Sequence, residues 1–304
     1  MSERQSVLQG MKIGFMGKGG AGKSTCLALF AQAMRARGYD VCVLDTDSTN
    51  EGLHLALGID RPPRSLIDLF GGMVFLGGRV TCPADDPTVL EDADVALEQL
   101  PAESFAESES GIVFLAAGKL ADFGVGAGCD GPMVKIARDL VVRRNGRPMT
   151  MLVDLKAGIE DTSRGVIIGM DDVIVVCDPS TAGLGVARSM TRLVDDLNRG
   201  AAPATSHIES DELADLCRQL FRDARLRRVE TVLNKVPDDE TETYMRQVLA
   251  DAGIDPLAAL RETAGIRQAW LRGQPLPHDG LTPAVNEALD RLESCAEADG
   301  ALTT

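Results

Sequence analysis

The sequence predicts an α/β fold, a doubly wound, mostly parallel sheet with helices on both faces. Three observations carry that prediction. Strand-like and helical runs alternate through most of the 304 residues. An apolar run (Ile13, Phe15, Met16) feeds Gly17-Lys18-Gly19-Gly20-Ala21-Gly22-Lys23-Ser24-Thr25, and a helical run over 26–37 follows. That is the strand–loop–helix setting in which the phosphate-binding spacing G-x-x-x-x-G-K-[ST] has physical meaning. Finally, Asp172 leads into Val173-Ile174-Val175-Val176-Cys177, an unbroken apolar run of the kind buried on both faces of a parallel sheet. Because the alternation persists, residues 1–304 are expected to form a single domain, with weakly patterned insertions near 71–110 and 199–225.

Composition narrows the setting. Hydrophobic residues make up 44% and aromatics only 4%, so the expected core is large and aliphatic. A formal net charge of −15 disfavours unspecific binding to nucleic acid or to an anionic membrane. No apolar run approaches the ~20 residues that span a bilayer. Residues 1–10 are polar and carry no signal-peptide core. The seven scattered cysteines do not form a disulfide framework, and a reducing cytoplasm is the expected compartment. Cys26, Cys42 and Cys177 lie in apolar runs and are expected as core thiols.

In chain order, the glycines of residues 17–22 let backbone N–H groups wrap phosphates at a helix N-terminus. Lys23 would reach the β- and γ-phosphates, and the Ser24 hydroxyl would ligate Mg²⁺. Val41-Cys42-Val43-Leu44-Asp45 reads as the second strand, ending in Asp45-Thr46-Asp47 at the crevice where open α/β sheets bind ligands. Either aspartate could instead cap a helix over 51–57. Residues 71–110 carry Gly-Gly pairs and an acidic tract, expected to form a lid on the sheet edge with a solvated face.

A third strand is expected over 111–116, followed by the glycine-rich turn 123–132 and a helix over 133–142. Cys129 sits in that turn at the helix start, where thiolate is favoured; a small buried thiol is the plainer alternative. Met151-Leu152-Val153-Asp154 is a strand whose aspartate would hold Mg²⁺ through water, and Gly158 completes a D-x-x-x-G switch loop. After strand 172–177, Ser180 should cap a helix running to residue 197. A polar link leads to a charged helix over 212–225, where Arg222, Arg225, Arg227 and Arg228 form either a solvated face or a dock for an acidic client. Strand 229–235 ends in Asn234-Lys235, and a last strand near 256–260 precedes Arg261-Glu262-Thr263 and a helix containing Trp270.

Lys18 gives the loop the form K-G-G-x-G-K-[ST], which resembles the deviant Walker-A P-loop ATPases of the SIMIBI type: ParA, MinD, the nitrogenase iron protein and the nickel-insertion ATPase CooC of carbon monoxide dehydrogenase. The resemblance implies an ATP- and Mg²⁺-dependent homodimer in which Lys18 crosses to the partner's phosphates. It implies catalytic roles for Lys18, Lys23, Asp47 and Asp154, with Asp47 orienting the attacking water and Asp45 supporting Mg²⁺ from behind its ligands. Nucleotide contacts are implied for Gly17, Gly19, Gly20, Ala21, Gly22, Lys23, Ser24 and Thr25, and adenine contacts for Asn234, Lys235, Arg261 and Glu262.

The Cys129 turn is similar to the iron protein's G-V-G-C-A-G and to the G-x-G-C-x-C of CooC. The second CooC-like cysteine would fall at Gly131, and the iron protein's second cluster cysteine at Asp161. The string D-L-K-A-G-I-E-D-T-S-R from Asp154 looks more like the D-x-E-A-G-x-E-H-x-x-R of CooC than the D-x-P-P of ParA and MinD. Hence the expected function is an ATPase switch assisting metallocentre maturation, with nickel, zinc or an iron–sulfur cluster at a dimer interface through Cys129. Its partner would be a client metalloenzyme or accessory protein. The alternatives are a ParA/MinD-like positioning ATPase and an iron-protein-like reductase. An acidic segment over 293–304 is unlike a basic amphipathic membrane anchor.

Overall fold

In the computed structural model the described residues are 7–119, 129–158, 162, 164–208, 210–224, 226–277 and 281–302. Strands and helices follow the expected order. The elements are β1 (Lys12–Gly17), α1 (Lys23–Ala36), β2 (Val41–Asp45), the single turns α2 (Leu53–Ala56) and α3 (Leu66–Leu69), β3 (Asp94–Ala96), β4 (Ala106–Glu107) and β5 (Val113–Ala116). They continue as α4 (Gly131–Asp139), β6 (Val141–Arg144), β7 (Arg147–Pro148), β8 (Thr150–Asp154), β9 (Asp172–Cys177) and α5 (Thr181–Asn198). The last are α6 (Asp211–Arg222), β10 (Arg228–Val236), α7 (Asp239–Ala250), β11 (Ala258–Arg261), α8 (Ala264–Arg272) and α9 (Thr282–Leu302).

Among the described residues the main sheet runs β11-β10-β9-β1-β8-β2-β5-β4, parallel throughout except for the short edge strand β4. The chain winds outward from β1 in both directions, so the ends of β1, β8 and β9 meet at a reversal of winding, where such sheets bind ligands. Period-2 alternation sends Ile13, Phe15, Val43, Leu152 and Ile174 to one face, under α1, α8 and α9. Cys42, Leu44, Val153, Val173 and Val175 point to the other, under α4, α5 and α7. Burial on both faces explains the unbroken apolar strands.

Three expectations need correction. The helix expected over 133–142 stops at Asp139, because Val141 and Val142 belong to β6. A second sheet, β3-β6-β7, forms there, and Asn145 (φ 51°) and Gly146 (φ 76°) make the two-residue hairpin turn between β6 and β7. Asn-Gly is a hairpin-turn signal that the sequence reading passed over. The capping alternative for Asp45 and Asp47 gains nothing either, since Gly52 occupies the cap position of the short α2. Last, Arg228 is no part of a solvated face, although Arg227 stays exposed and Arg225 lies outside the described residues. Arg228 pairs with buried Asp172 at 2.7 Å and with Asp299 at 3.3 Å, while Arg227 reaches Asp171 at 3.7 Å.

The 71–110 segment lies along the β5 edge, giving β4 to the main sheet and β3 to the small one. Helix α9 buries Val285, Ala288, Leu289 and Leu292 in the core. Among the described residues no helix is long and apolar enough to cross a membrane.

Candidate functional site

The loop between β1 and α1 can take its path only with glycine at two points. Gly17 has φ 152°, and a Cβ there would collide with the Val176 carbonyl of β9. Gly22 (φ 93°) faces the Asn234 amide with no room for a side chain. The loop, the segments that follow β2 and β8, and the Asn234–Trp270 segment surround a cleft of about 590 Å³. That volume is in the usual range for small-ligand sites. Gly19, Gly20, Gly22, Lys23, Ser24, Thr25, Asp47, Asn234, Lys235, Arg261 and Glu262 all line it.

At its floor lies a group of hard oxygen donors. Ser24 Oγ donates to Asp154 Oδ2 at 2.5 Å and accepts from Asn50 Nδ2 at 2.8 Å. Asp154 is fully buried, and burial, reinforced by the charge of Asp45, pushes its carboxyl up to about 7 against the opposing pull of Lys23 and Ser24. Burial likewise raises Asp45 to about 6, with the Lys119 ammonium opposing. Lys119 donates to Asp45 Oδ2 at 2.8 Å, to the Asp47 carbonyl at 2.6 Å and to the Asn50 carbonyl. Oδ1 of Asp45 and Oδ1 of Asp154 are buried without a hydrogen-bond partner among the described residues. Unsatisfied buried carboxylate oxygens are costly, and a cation is what satisfies them. Two such oxygens beside a serine hydroxyl fit Mg²⁺, a hard ion that takes oxygen ligands.

Other predicted residues are held in less open arrangements. Lys18 Nζ folds onto its own chain's Asp178, 2.9 Å away at the end of β9. Asp47 Oδ1 accepts from Thr49 N at 3.0 Å and Thr49 Oγ1 at 2.7 Å, closing a local turn. Asn234 Nδ2 donates to the Ala21 carbonyl at 2.7 Å, and Lys235 Nζ to the Gly20 carbonyl at 2.8 Å, so both brace the phosphate loop. Arg261 turns to Asp239 and Glu242 at 2.5 and 2.9 Å. The turn residues 123–128 and the switch residues Ile159, Glu160, Asp161 and Ser163 lie outside the described residues.

Cys129 is half-buried just ahead of α4. Its neighbour Asp130 is buried and accepts from Lys156 Nζ at 2.6 Å, Arg164 Nη1 at 2.9 Å and Ser48 Oγ at 3.2 Å. Burial alone would raise the Asp130 carboxyl, but the hydrogen bond and charge of Lys156, with Arg164, hold it below its ordinary value. This node ties the segment after β2, the segment after β8 and the start of α4 to one carboxylate.

Sequence reasoning missed Lys119, the Asp130 node and Trp270, whose Nε1 donates to Thr25 Oγ1 at 2.9 Å along the cleft wall. Each acts through a partner distant in the chain, so no local spacing announces it.

Comparison with known proteins agrees with this geometry. The family described as "CobQ/CobB/MinD/ParA nucleotide binding domain" matches residues 15–276. An uncharacterized ATP-binding protein of Methanocaldococcus jannaschii is 32% identical over 208 residues, covering 68% of this chain and 82% of its own. The carbon monoxide dehydrogenase accessory protein CooC of Rhodospirillum rubrum is 29% identical over 188 residues, covering 62% and 70%. The septum site-determining protein MinD of Pyrococcus horikoshii, solved with Mg-ADP, superposes with a TM-score of 0.58 at 17% identity, covering 94% of this chain and 97% of its own. At that identity the likeness speaks for the fold: a large, mostly parallel α/β sheet of the MinD/ParA type.

Proposed function

Because the chain belongs to the CobQ/CobB/MinD/ParA nucleotide-binding family, we propose that it is a Mg²⁺-dependent ATPase whose nucleotide cycle pairs two copies and assists maturation of a metallocentre. The ATPase part is carried by one observation: the phosphate loop lines a cleft, and directly behind its Ser24 lie two neighbouring buried carboxylates, Asp154 and Asp45, each with an oxygen lacking a partner among the described residues. Backbone N–H groups of residues 17–22 and the Lys23 ammonium cradle the phosphates. Ser24 and Asp154 would hold Mg²⁺, whose chemistry there is to neutralise charge on the β- and γ-phosphate oxygens. Asp47 lines the cleft where its carboxylate can orient a water. Asn234, Lys235 and Trp270 form the far wall and receive the base.

Lys18 supplies a cation in trans, as an arginine finger does. To do so it must leave Asp178, so pairing of the copies breaks an ion pair within each. The metallocentre part is supported by the switch string from Asp154, by Cys129 beside the Asp130 node and by the similarity to CooC.

Two measurements test the reading. Lys23→Ala should lose ATP affinity, whereas Lys18→Ala should bind ATP yet lose both ATP-induced pairing and turnover, the latter by about 10²-fold or more. Unchanged turnover and pairing in Lys18→Ala would refute the in-trans role. Anaerobic metal analysis with and without ATP tests the finer part; absence of metal in every state moves the reading to a positioning ATPase.

A further inference from the structure

Residues 46–50 follow β2 in neither helix nor strand, yet a single side chain from beyond β5 gathers them. Gly118 passes between Ile67 and Met133, where a Cβ would lie 3.1 Å from a side-chain carbon of each, and this close fit delivers the next residue, Lys119, to the end of β2. An ammonium carries three N–H donors. Here they meet three acceptors: Asp45 Oδ2 at 2.8 Å, the Asp47 carbonyl at 2.6 Å and the Asn50 carbonyl. Two of the three are main-chain oxygens, which hold no formal charge to neutralise. Asp45, the one charged acceptor, still keeps Oδ1 without a partner among the described residues. The arrangement secures the path of a segment more than it balances a charge.

That path matters because of what it presents. Drawing the carbonyls of residues 47 and 50 onto one nitrogen curls the backbone, and Asp47, Thr49 and Asn50 line the cleft. Asn50 Nδ2 then reaches Ser24 Oγ at 2.8 Å, beside the bond from Ser24 to Asp154. Between them, Ser48 Oγ donates to Asp130 Oδ2 at 3.2 Å, so residues 119 and 130 hold the segment from two sides. Lys119 is not itself among the cleft-lining residues, and its side chain is only 18% exposed. Without the ammonium, three oxygens would converge on a space with no donor, an arrangement that the segment relieves by opening.

We infer that Lys119 is a positioning residue for ATP hydrolysis: it shapes residues 45–50 so that the Asp47 carboxylate stands where it can orient water and the Asn50 amide steadies the Ser24 hydroxyl. It touches no part of the nucleotide. The inference rests on the ATPase reading above and assigns a share of that site to a residue 74 positions from Asp45. Phosphate binding belongs to the loop after β1, so loss of Lys119 acts on turnover and spares affinity.

The test separates those two quantities in the full chain. Turnover is measured with Mg²⁺-ATP, and affinity with a non-hydrolysable ATP analogue. Lys119→Met keeps the length of the side chain without its donors; kcat should fall by about 100-fold, the scale for small misplacement of reacting groups, while analogue Kd stays within about threefold. Lys119→Arg restores charge and donors in a less convergent shape and should recover to within about tenfold of wild-type kcat. Should Lys119→Met fail to fold, the same split is read on Lys119→Gln, which retains two donors and should lose about tenfold in kcat alone. Wild-type turnover in the neutral variant would overturn the inference, as would equal losses of turnover and affinity, the signature of a merely structural role. A wild-type chain that neither binds nor hydrolyses ATP would sink the ATPase reading itself, an outcome distinct from an active wild type with an equally active Lys119→Met.

Discussion

Two buried aspartates, Asp154 and Asp130, stand at the loops that would respond to nucleotide, and their surroundings are opposite. Asp154 closes β8 with no ion pair among the described residues, only the more distant charge of Lys23; its carboxyl is raised to about 7, first by burial, and one oxygen has no partner among the described residues. Asp130 is as well hidden, but Lys156 and Arg164 both reach it and its carboxyl is held below the ordinary value. The first is a charge that the fold alone does not satisfy. The second is satisfied by the chain itself. On the function proposed above, one would serve as a receptor for a cation, while the other ties segments together. The same residue type serves binding in one place and cohesion in the other, according to who supplies the positive charge.

The strongest way to break this contrast is Asp154→Asn. ATP turnover should fall by about 10²–10³-fold, the scale for losing one group that organises charge at a phosphoryl-transfer site. The nucleotide-free variant should nevertheless unfold at higher denaturant near pH 8, gaining on the order of 2 kcal/mol, because a buried charge has been removed. A variant less stable than the wild type would show that Asp154 is already satisfied.

Asp130→Asn should do the reverse. Two cations lose their shared partner, and a cost of about 2 kcal/mol is expected in urea unfolding, below the usual range for broken buried pairs because Lys156 and Arg164 are part-exposed. Equal stability would mean that the clasp contributes nothing.

Acid and base separate the two further. Asp154 and Asp45 have folded pKa values above their unfolded ones, so their contribution is fully present below about pH 4 and is lost as pH rises through about 6 and 7. Asp130 has a lowered value, so its contribution holds above the ordinary carboxylate range and is lost as pH falls through the folded value. Thermal melts of nucleotide-free protein should show a lower midpoint near pH 8 than near pH 5, by a few degrees, and Mg²⁺-ATP should abolish that difference. The smallest effect is expected from Lys156→Gln, at about 0.5–1 kcal/mol, since Arg164 remains on Asp130.

Much of this molecule was legible in the chain of letters, and the reason is locality. The phosphate loop is nine consecutive residues whose glycines, lysines and hydroxyls act at fixed spacing. The apolar strands declare a two-sided sheet without knowledge of what covers them. Asp45 and Asp154 were identifiable because strand ends at such a sheet point toward the ligand crevice. The rest depends on pairings across the chain. Lys119 meets Asp45 across 74 positions, and Trp270 meets Thr25 across 245. Neither residue belongs to a periodic pattern. Asp130 stands next to a cysteine in a glycine-rich turn, and its partners Ser48, Lys156 and Arg164 reach it only when the segments after β2 and β8 are brought to it. The end of α4 was misjudged for a different cause, a hairpin whose Asn-Gly turn overrode the helical reading of the preceding valines.

Lys12 has a consequence for how this machinery moves. It is the first residue of β1, and its buried ammonium donates to the carbonyls of Ala137 and Arg138 at the rear of α4, at 3.1 and 2.9 Å. The strand that ends in the phosphate loop is thereby riveted to the tail of the helix whose head bears Asp130. With the tail fixed, the helix can pivot but not slide. Nine residues at 1.5 Å rise give a lever of about 13 Å, so a tilt of roughly ten degrees sweeps its head by about 2 Å. Such a displacement would carry Asp130, and with it the ends of Lys156 and Arg164, while the rivet stays still.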